Sequence, residues 1–117
     1  NAKYKEYLGV EPRNDGEGIL QDTHWSGGNF GYFPSYALGN LYGAQFLSAM
    51  KKDLPDLEGR IASGDLVCVN DWLKERVHRH GAVYQPGELI RRVTGEPLTA
   101  KYFIDYLNEK YADIYGL

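Results

Sequence analysis

Apolar residues recur at helical spacing along most of this chain, and the pattern is densest in its first half. A long helix is predicted from Pro34 or Ser35 to about Lys52, because proline suits the first helical turn and apolar residues then follow on every side. A helix without a polar face is expected to be buried. Gly39 and Gly43 lie four residues apart on this helix. Since glycine is costly in a helix, we expect another element to pack closely against them.

Shorter helices are predicted after it, and turn-forming residues separate them. The first runs over 55–63 and ends at Gly64. The second is expected to be capped by Asp65 and to end before Gly81. The apolar stripe predicted for this second helix is Leu66, Val69, Leu73 and Val77.

Two more helices are predicted in the last third of the chain. One begins at Pro86 and ends at Gly95, and the other is capped by Thr99. The apolar stripe of the last helix is Phe103, Leu107, Tyr111 and Ile114. Residues 3–8 are predicted to form the final turns of a further helix. Residues 9–18 are rich in turn-forming residues and are predicted to form a surface loop. The predicted fold class is therefore all-α, a compact bundle of about five short helices.

Charge is distributed unevenly along the chain. There are 13 Lys and Arg against 16 Asp and Glu, a formal charge of −3, so no basic field exists to attract nucleic acid. Although 25% of the residues are charged, none of them lies between Thr23 and Met50. We expect that stretch to be mostly buried or to line a site. It does not have the pattern of a membrane span, because glycine, proline and asparagine interrupt it.

The single cysteine, Cys68, cannot form a disulfide within the chain, which favours a reducing cytoplasmic location. It lies between two valines, and we expect it to be buried as a small apolar residue. The sequence opens Asn1-Ala2 without an initiator methionine, and these residues have the character of a tag remnant. Residues 3–117 are then expected to come from a longer protein.

One short segment concentrates polar and aromatic groups: Gln21, Asp22, His24 and Trp25. Asp22 precedes His24 by two residues, so its carboxylate could hold one tautomer of the imidazole, and uncharged surroundings would strengthen each hydrogen bond. The segment is therefore a candidate polar site. The alternative is that Asp22 caps a helix beside a partly buried histidine and a core tryptophan.

A second candidate is the aromatic group that follows, Phe30, Tyr32, Phe33 and Tyr36. Tyrosine hydroxyls at a groove wall can donate to a substrate carbonyl or to the oxyanion formed in acyl transfer. Tyr36 is the better placed of the two tyrosines, because it follows Pro34 at a helix start. The alternative is an aromatic core whose hydroxyls are satisfied internally.

His78 and His80 are the remaining histidines. Two residues that lie two positions apart project to opposite sides of a helix, so they cannot share a metal ion there, and we expect them to be solvated at a helix end. The His-Glu-x-x-His, Cys-x-x-Cys and phosphate-binding glycine motifs are all absent. The sequence therefore offers no metal ligands.

Two segments carry a family resemblance, from Gly18 to Trp25 and from Gly31 to Asn40. The first fits the pattern Gly-x-x-Gln-Asp-x-His-Trp. Together with the later His80-Gly81 and Tyr106-Leu107, these segments make the chain resemble the C-terminal region of the thermostable carboxypeptidase Taq family of metallocarboxypeptidases. The resemblance covers essentially all of residues 3–117.

That resemblance implies a larger, mainly helical and usually dimeric cytoplasmic enzyme, which removes single residues from peptide C-termini with a divalent metal, zinc or cobalt. In the family, a His-Glu-x-x-His helix and a downstream glutamate hold the metal, and neither has a counterpart in this sequence. We therefore expect residues 3–117 to be the C-terminal helical portion of the catalytic domain. Without the missing N-terminal part, they are expected to bind no metal and to be inactive.

The matched residues are implied to line the substrate groove opposite the metal. Tyr36 and His24 are the implied catalytic residues and assist the oxyanion, while the implied substrate-binding residues are Gln21, Asp22, Trp25 and Tyr32. The rival hypothesis is a non-catalytic helical interaction module, in which the aromatic stretch is core or docking surface. A segment excised from a larger enzyme is also expected to expose apolar patches near residues 23–50 and to self-associate through them.

Overall fold

The computed structural model describes all residues from 1 to 117, which form seven α-helices and no strand. The helices are α1 (Ala2–Leu8), α2 (Thr23–Ser26), α3 (Pro34–Asp53), α4 (Leu57–Ala62), α5 (Val67–Arg76), α6 (Pro86–Thr94) and α7 (Lys101–Tyr115). Short 3-10 turns lie at Asp15–Glu17, Ile19–Gln21 and His78–His80. The predicted all-α class is confirmed, with α2 as an additional short helix in the segment where no element was assigned. None of the helices combines the length and apolarity needed to cross a lipid bilayer.

Residues 1–36 form a first unit and residues 37–117 a second. The first unit contains α1, two of the 3-10 turns, α2 and the first residues of α3. Gly18 is its only buried residue. The first unit therefore has no apolar core of its own, and its aromatic side chains lie at the surface.

The second unit has a core to which α3, α5 and α6 all contribute. Its buried cluster consists of Met50, Leu57, Cys68, Trp72 and Val93. The indole Nε1 of Trp72 donates to Asp53 Oδ2 at 2.8 Å, so the one polar atom of this large side chain is satisfied. The predicted burial of Cys68 is confirmed.

The predicted stripe of α5 is confirmed in three of its four members. Val69, Leu73 and Val77 are partly buried and pack against the core cluster, whereas Leu66 is exposed. The fully buried residues of this helix are Cys68 and Trp72, which the stripe did not include.

Leu66, and not Asp65, occupies the N-cap position of α5, and the Asp65 carboxylate pairs with Arg60 at 2.7 Å. The hydrogen bond from Arg60, and to a smaller extent those from the backbone of Cys68 and Val67, lower the pKa of Asp65.

Helix α3 begins at Pro34 as predicted, but only its second half is buried. Every residue from 31 to 40 is exposed, while Gln45 and Met50 are buried. A Cβ placed on Gly39 or Gly43 would meet no atom within 4 Å, so the expected close packing against these glycines is wrong for this chain. An apolar sequence indicates only that a surface tends to be covered. The prediction failed because no other part of this chain covers the first half of α3.

The ends of α6 follow local chemistry. Pro86 is its first residue, and Gly95 ends it at φ +87°, in the left-handed region that favours glycine. Thr99 Oγ1 accepts a hydrogen bond from the backbone N–H of Lys101 at 3.3 Å, in keeping with a cap before α7. The predicted stripe of α7 is buried only in part, because its last members, Tyr111 and Ile114, are exposed.

Candidate functional site

The candidate site is formed by two bends around the four-residue helix α2. Asp22 caps this helix, since its Oδ1 accepts a hydrogen bond from the backbone N–H of His24 at 2.8 Å. After α2, Gly28 and Gly31 have φ angles of +76° and +74°, a conformation that side-chain-bearing residues rarely adopt. These bends return the chain so that Tyr32 and the start of α3 lie beside His24.

The same oxygen of Asp22 lies 2.7 Å from Nδ1 of His24. The hydrogen bond from the His24 backbone N–H is the main cause that holds the pKa of the Asp22 carboxyl below its usual value, and the hydrogen bond from the His24 ring adds to it. A carboxylate can only accept, so Nδ1 carries the proton, and in the neutral ring Nε2 is left as an acceptor. No other side chain or backbone group in the chain bonds to this imidazole. With 22% of the side chain exposed, the ring is shielded but not sealed.

Aromatic rings surround the imidazole. The ring centroids of Tyr32, Phe33 and Tyr36 lie 5.6, 5.7 and 5.7 Å from that of His24. The two tyrosine rings are 5.5 Å apart and nearly perpendicular. All three aromatic side chains are at least half exposed, so within this chain they do not form an aromatic core. The cluster is therefore a surface feature of the first unit, centred on one histidine.

Two other predicted site residues contact different partners. The Gln21 side-chain amide donates to the backbone carbonyl of Gly16 in the preceding loop. The Asp22 cap and the partly buried His24 of the alternative hypothesis are both present. Trp25 packs against Phe30 with ring centroids 6.2 Å apart and is 48% exposed, so within this chain it is not a core tryptophan. The structure thus joins His24 to Asp22, Tyr32 and Tyr36, and it places Gln21 and Trp25 outside that contact group.

Phe33 belongs to the aromatic group that the sequence predicted, but it was given no catalytic or substrate-binding role there. Its ring meets His24 edge-on, at an interplanar angle of 81°, and also contacts Tyr36 with centroids 6.0 Å apart. The contact depends on the bend at Gly31, and a nine-residue separation from the histidine gives no periodic signal of it.

Residues 1–111 match the family described as carboxypeptidase Taq (M32) metallopeptidase. The chain belongs to this family. Carboxypeptidase 1 of Bacillus subtilis is 50% identical over 117 residues, which are 100% of this chain and 23% of that protein. Thermostable carboxypeptidase 1 of Thermus thermophilus is 47% identical over 114 residues, 97% of this chain and 22% of that protein.

Solved structures of the family agree with this fold. The M32 carboxypeptidase from Deinococcus radiodurans superposes with a TM-score of 0.88 at 42% identity and covers 99% of this chain and 24% of its own. The Pyrococcus furiosus carboxypeptidase gives a TM-score of 0.88 at 43% identity, with 95% of this chain and 22% of its own covered. The chain therefore spans less than a quarter of the length of these relatives and corresponds to a C-terminal region of the family.

The residues of this chain do not fit the metal centre that the family name implies. No group of three or more His, Cys, Asp or Glu side chains is arranged to hold a metal ion. His78 and His80 lie on a 3-10 turn rather than on the predicted helix, and the ring of His80 packs 5.3 Å from that of Tyr84.

Proposed function

We propose that this chain supplies part of the substrate groove of a metal-dependent carboxypeptidase, an enzyme that releases single residues from the C-termini of peptides. The observation that carries the proposal is the state of His24, whose Nδ1 is held by Asp22 while two tyrosines lie beside its ring. Membership of a metallopeptidase family supports the class of reaction.

The geometry suggests different roles for His24 and Tyr36. Oxyanion stabilisation requires a hydrogen-bond donor, and the Nδ1 proton of His24 is already donated to Asp22. The hydroxyl of Tyr36 is such a donor, and no residue of the chain occupies it. We therefore assign the oxyanion to Tyr36. His24 would accept from a substrate N–H, or donate once its ring is doubly protonated.

The remaining site residues would contact the bound peptide. Tyr32 lies beside His24 and can donate to a peptide carbonyl, whereas Trp25 offers an exposed aromatic face. Gln21 would have to release Gly16 to bind substrate, and Asp22 would act by orienting His24.

The rest of the proposal concerns the intact protein. Its divalent metal, zinc or cobalt, would be held by an N-terminal part of the polypeptide, so that residues 3–117 alone bind no metal and are inactive. The whole enzyme would act in the cytoplasm, as a homodimer, on peptides and not on nucleic acid or membranes. A net charge of −3 agrees with the exclusion of nucleic acid.

The role of Tyr36 is tested by Tyr36→Phe in the full-length enzyme. Removal of one oxyanion donor is expected to lower kcat by about ten- to a thousandfold. Tyr7→Phe is the matched control, since Tyr7 is 71% exposed and lies outside the cluster, and it should leave kcat unchanged. If kcat is unchanged in Tyr36→Phe as well, Tyr36 has no part in the mechanism.

A non-catalytic interaction module remains the second candidate, and the exposed aromatic surface favours it. Phe30 is 75% exposed and Phe33 is 64% exposed, and such side chains often lie in protein interfaces. The two functions make opposite predictions for His24→Ala in the full-length protein. If His24 lines the substrate groove, the substitution lowers the rate of peptide hydrolysis. If His24 lies on a docking surface, the substitution leaves hydrolysis unchanged and weakens binding to the partner protein.

A further inference from the structure

Gly18 is a buried residue of the first unit to which the proposed function gives no role. It lies between the two 3-10 turns Asp15–Glu17 and Ile19–Gln21. A Cβ placed on Gly18 would lie 2.9 Å from Cγ and 3.1 Å from Cβ of Pro12. Carbon atoms in ordinary contact are about 3.5–4.0 Å apart, so a side chain at position 18 would push the two segments apart by about 0.6 Å or more.

Pro12 is not free to turn away from such a side chain. Its ring has no flexible end, and the ring also fixes the backbone φ of the residue. The segment between Pro12 and Gly18 is closed by hydrogen bonds. The backbone N–H of Glu17 donates to Asn14, at 3.0 Å to Oδ1 and at 3.2 Å to the carbonyl. The backbone N–H of Gly18 donates to the Asp15 carbonyl at 3.2 Å. A wider separation of Pro12 and Gly18 would therefore open this turn.

The turn that follows Gly18 leads directly to the Asp22–His24 pair. The Gly18 carbonyl accepts from the backbone N–H of Gln21 at 3.0 Å, and Asp22 is the next residue. Asp22 Oδ1 then accepts from the backbone N–H of His24 at 2.8 Å and from its Nδ1 at 2.7 Å. Two hydrogen bonds that end on one oxygen require a defined position of that oxygen, because their strength depends on distance and angle. One hydrogen-bonded turn therefore transmits a displacement of Gly18 to the carboxylate that orients the imidazole.

We propose that Gly18 is a positioning residue for the Asp22–His24 pair. Its missing side chain lets Pro12 pack against the backbone, and this contact fixes the point from which the chain enters Asp22. Every contact that carries the inference lies within residues 12–24 of the first unit. The consequence for activity rests on the proposed function, in which His24 belongs to the substrate groove.

The test is a double-mutant cycle in the full-length enzyme, with Gly18→Ala and Pro12→Gly made singly and together. Pro12→Gly is the matched control background, because it removes both atoms that a Cβ at position 18 would approach most closely. Nitrogen chemical shifts of the imidazole report the proton on Nδ1, and carboxyl chemical shifts report the titration of Asp22. These two signals follow the pair itself, so a general loss of stability would not change them in the folded enzyme.

In Gly18→Ala, the pKa of Asp22 should rise toward its ordinary value, and the His24 ring should no longer be held with its proton on Nδ1. Because a displacement of about 1 Å can cost about 100-fold in rate, kcat/KM should fall by about 10- to 100-fold. In the Pro12→Gly background, Gly18→Ala should cause little further change in either quantity.

The outcomes separate this inference from the proposed function. If Gly18→Ala leaves the pair unchanged, or disturbs it equally in both backgrounds, the inference is overturned whatever the activity. If the pair is disturbed only when Pro12 is present and hydrolysis keeps its wild-type rate, the inference stands and His24 has no part in the groove. Should Gly18→Ala yield no folded enzyme, the double variant decides. A folded double variant with the wild-type pair supports the inference, and a folded one without the pair, or an unfolded one, overturns it.

Discussion

Replacement of Asp22 separates its geometric contribution from its charge. Both hydrogen bonds from His24, one from the backbone N–H and one from Nδ1, end on the same oxygen, Oδ1. Asparagine has one carbonyl oxygen at the same position and is as good a helix cap as aspartate. Asp22→Asn can therefore keep both bonds if the amide oxygen takes the place of Oδ1. The flipped amide would put its NH2 group there and lose both bonds, so the flip is disfavoured. Asp22→Ala removes both bonds and frees the imidazole.

The expected magnitudes follow from that difference. Loss of the carboxylate that orients a metal-bound histidine typically costs about 10- to 100-fold. We expect a loss of the same size in kcat/KM for Asp22→Ala in the full-length enzyme, because Asp22 orients His24 in the same way. A hydrogen bond to a neutral oxygen is about half as strong as one to a charged oxygen. Asp22→Asn should therefore hold His24 in the same tautomer and retain most of the activity.

Two measurements check this prediction. Steady-state hydrolysis of a blocked dipeptide gives kcat/KM for the wild type and both variants. Nitrogen chemical shifts of the imidazole report which ring nitrogen carries the proton, and Nδ1 should be protonated in the wild type and in Asp22→Asn. The reasoning is refuted if Asp22→Asn is as impaired as Asp22→Ala, since the charge would then matter and not the geometry. Full activity in Asp22→Ala would also refute it.

Two further predictions concern pH and backbone conformation. Because the pKa of Asp22 is lowered in the folded state, its stabilising contribution is complete above the ordinary aspartate pKa and is lost as the pH falls through the lower folded value. Carboxyl chemical shifts should show Asp22 titrating below the ordinary aspartate pKa, and titration at or above that value would contradict the pair with His24. In urea denaturation, Gly95→Ala should destabilise the chain by about 1–2 kcal/mol, because φ is +87° there. Its matched control Gly39→Ala, on a helix with equal free space, should stabilise it by about 1 kcal/mol. If both substitutions change the free energy of unfolding in the same direction, backbone conformation is not the cause of the change at Gly95.

Helix ends were the features best predicted from sequence. Pro34 and Pro86 each begin a helix, and Gly95 ends one, because the restricted φ of proline and the left-handed tolerance of glycine act within one or two residues. Asp65 shows the limit of such reasoning. Leu66 occupies the N-cap position of α5, and the Asp65 carboxylate also pairs with Arg60, a contact that the capping rule does not predict.

Burial was predicted less well. The apolar pattern of α3 indicated a buried helix, yet its first half is exposed. In α5 the predicted stripe packs against the core except at Leu66, but it missed the two fully buried residues, Cys68 and Trp72. A pattern records which surfaces are apolar. Whether such a surface is covered depends on the elements that are present to cover it, and this chain spans less than a quarter of the length of its relatives.

The amino-acid sequence by itself determined the all-α class, most helix ends and the motif that indicates the family, because each depends on residues close together in the chain. The tertiary structure alone decided that the aromatic rings gather around His24 and that Gln45 joins segments separated by 49 to 54 positions. The physical reason is that a long-range contact depends on how the chain folds back in space, and single-residue preferences act only on neighbouring dihedral angles and hydrogen bonds.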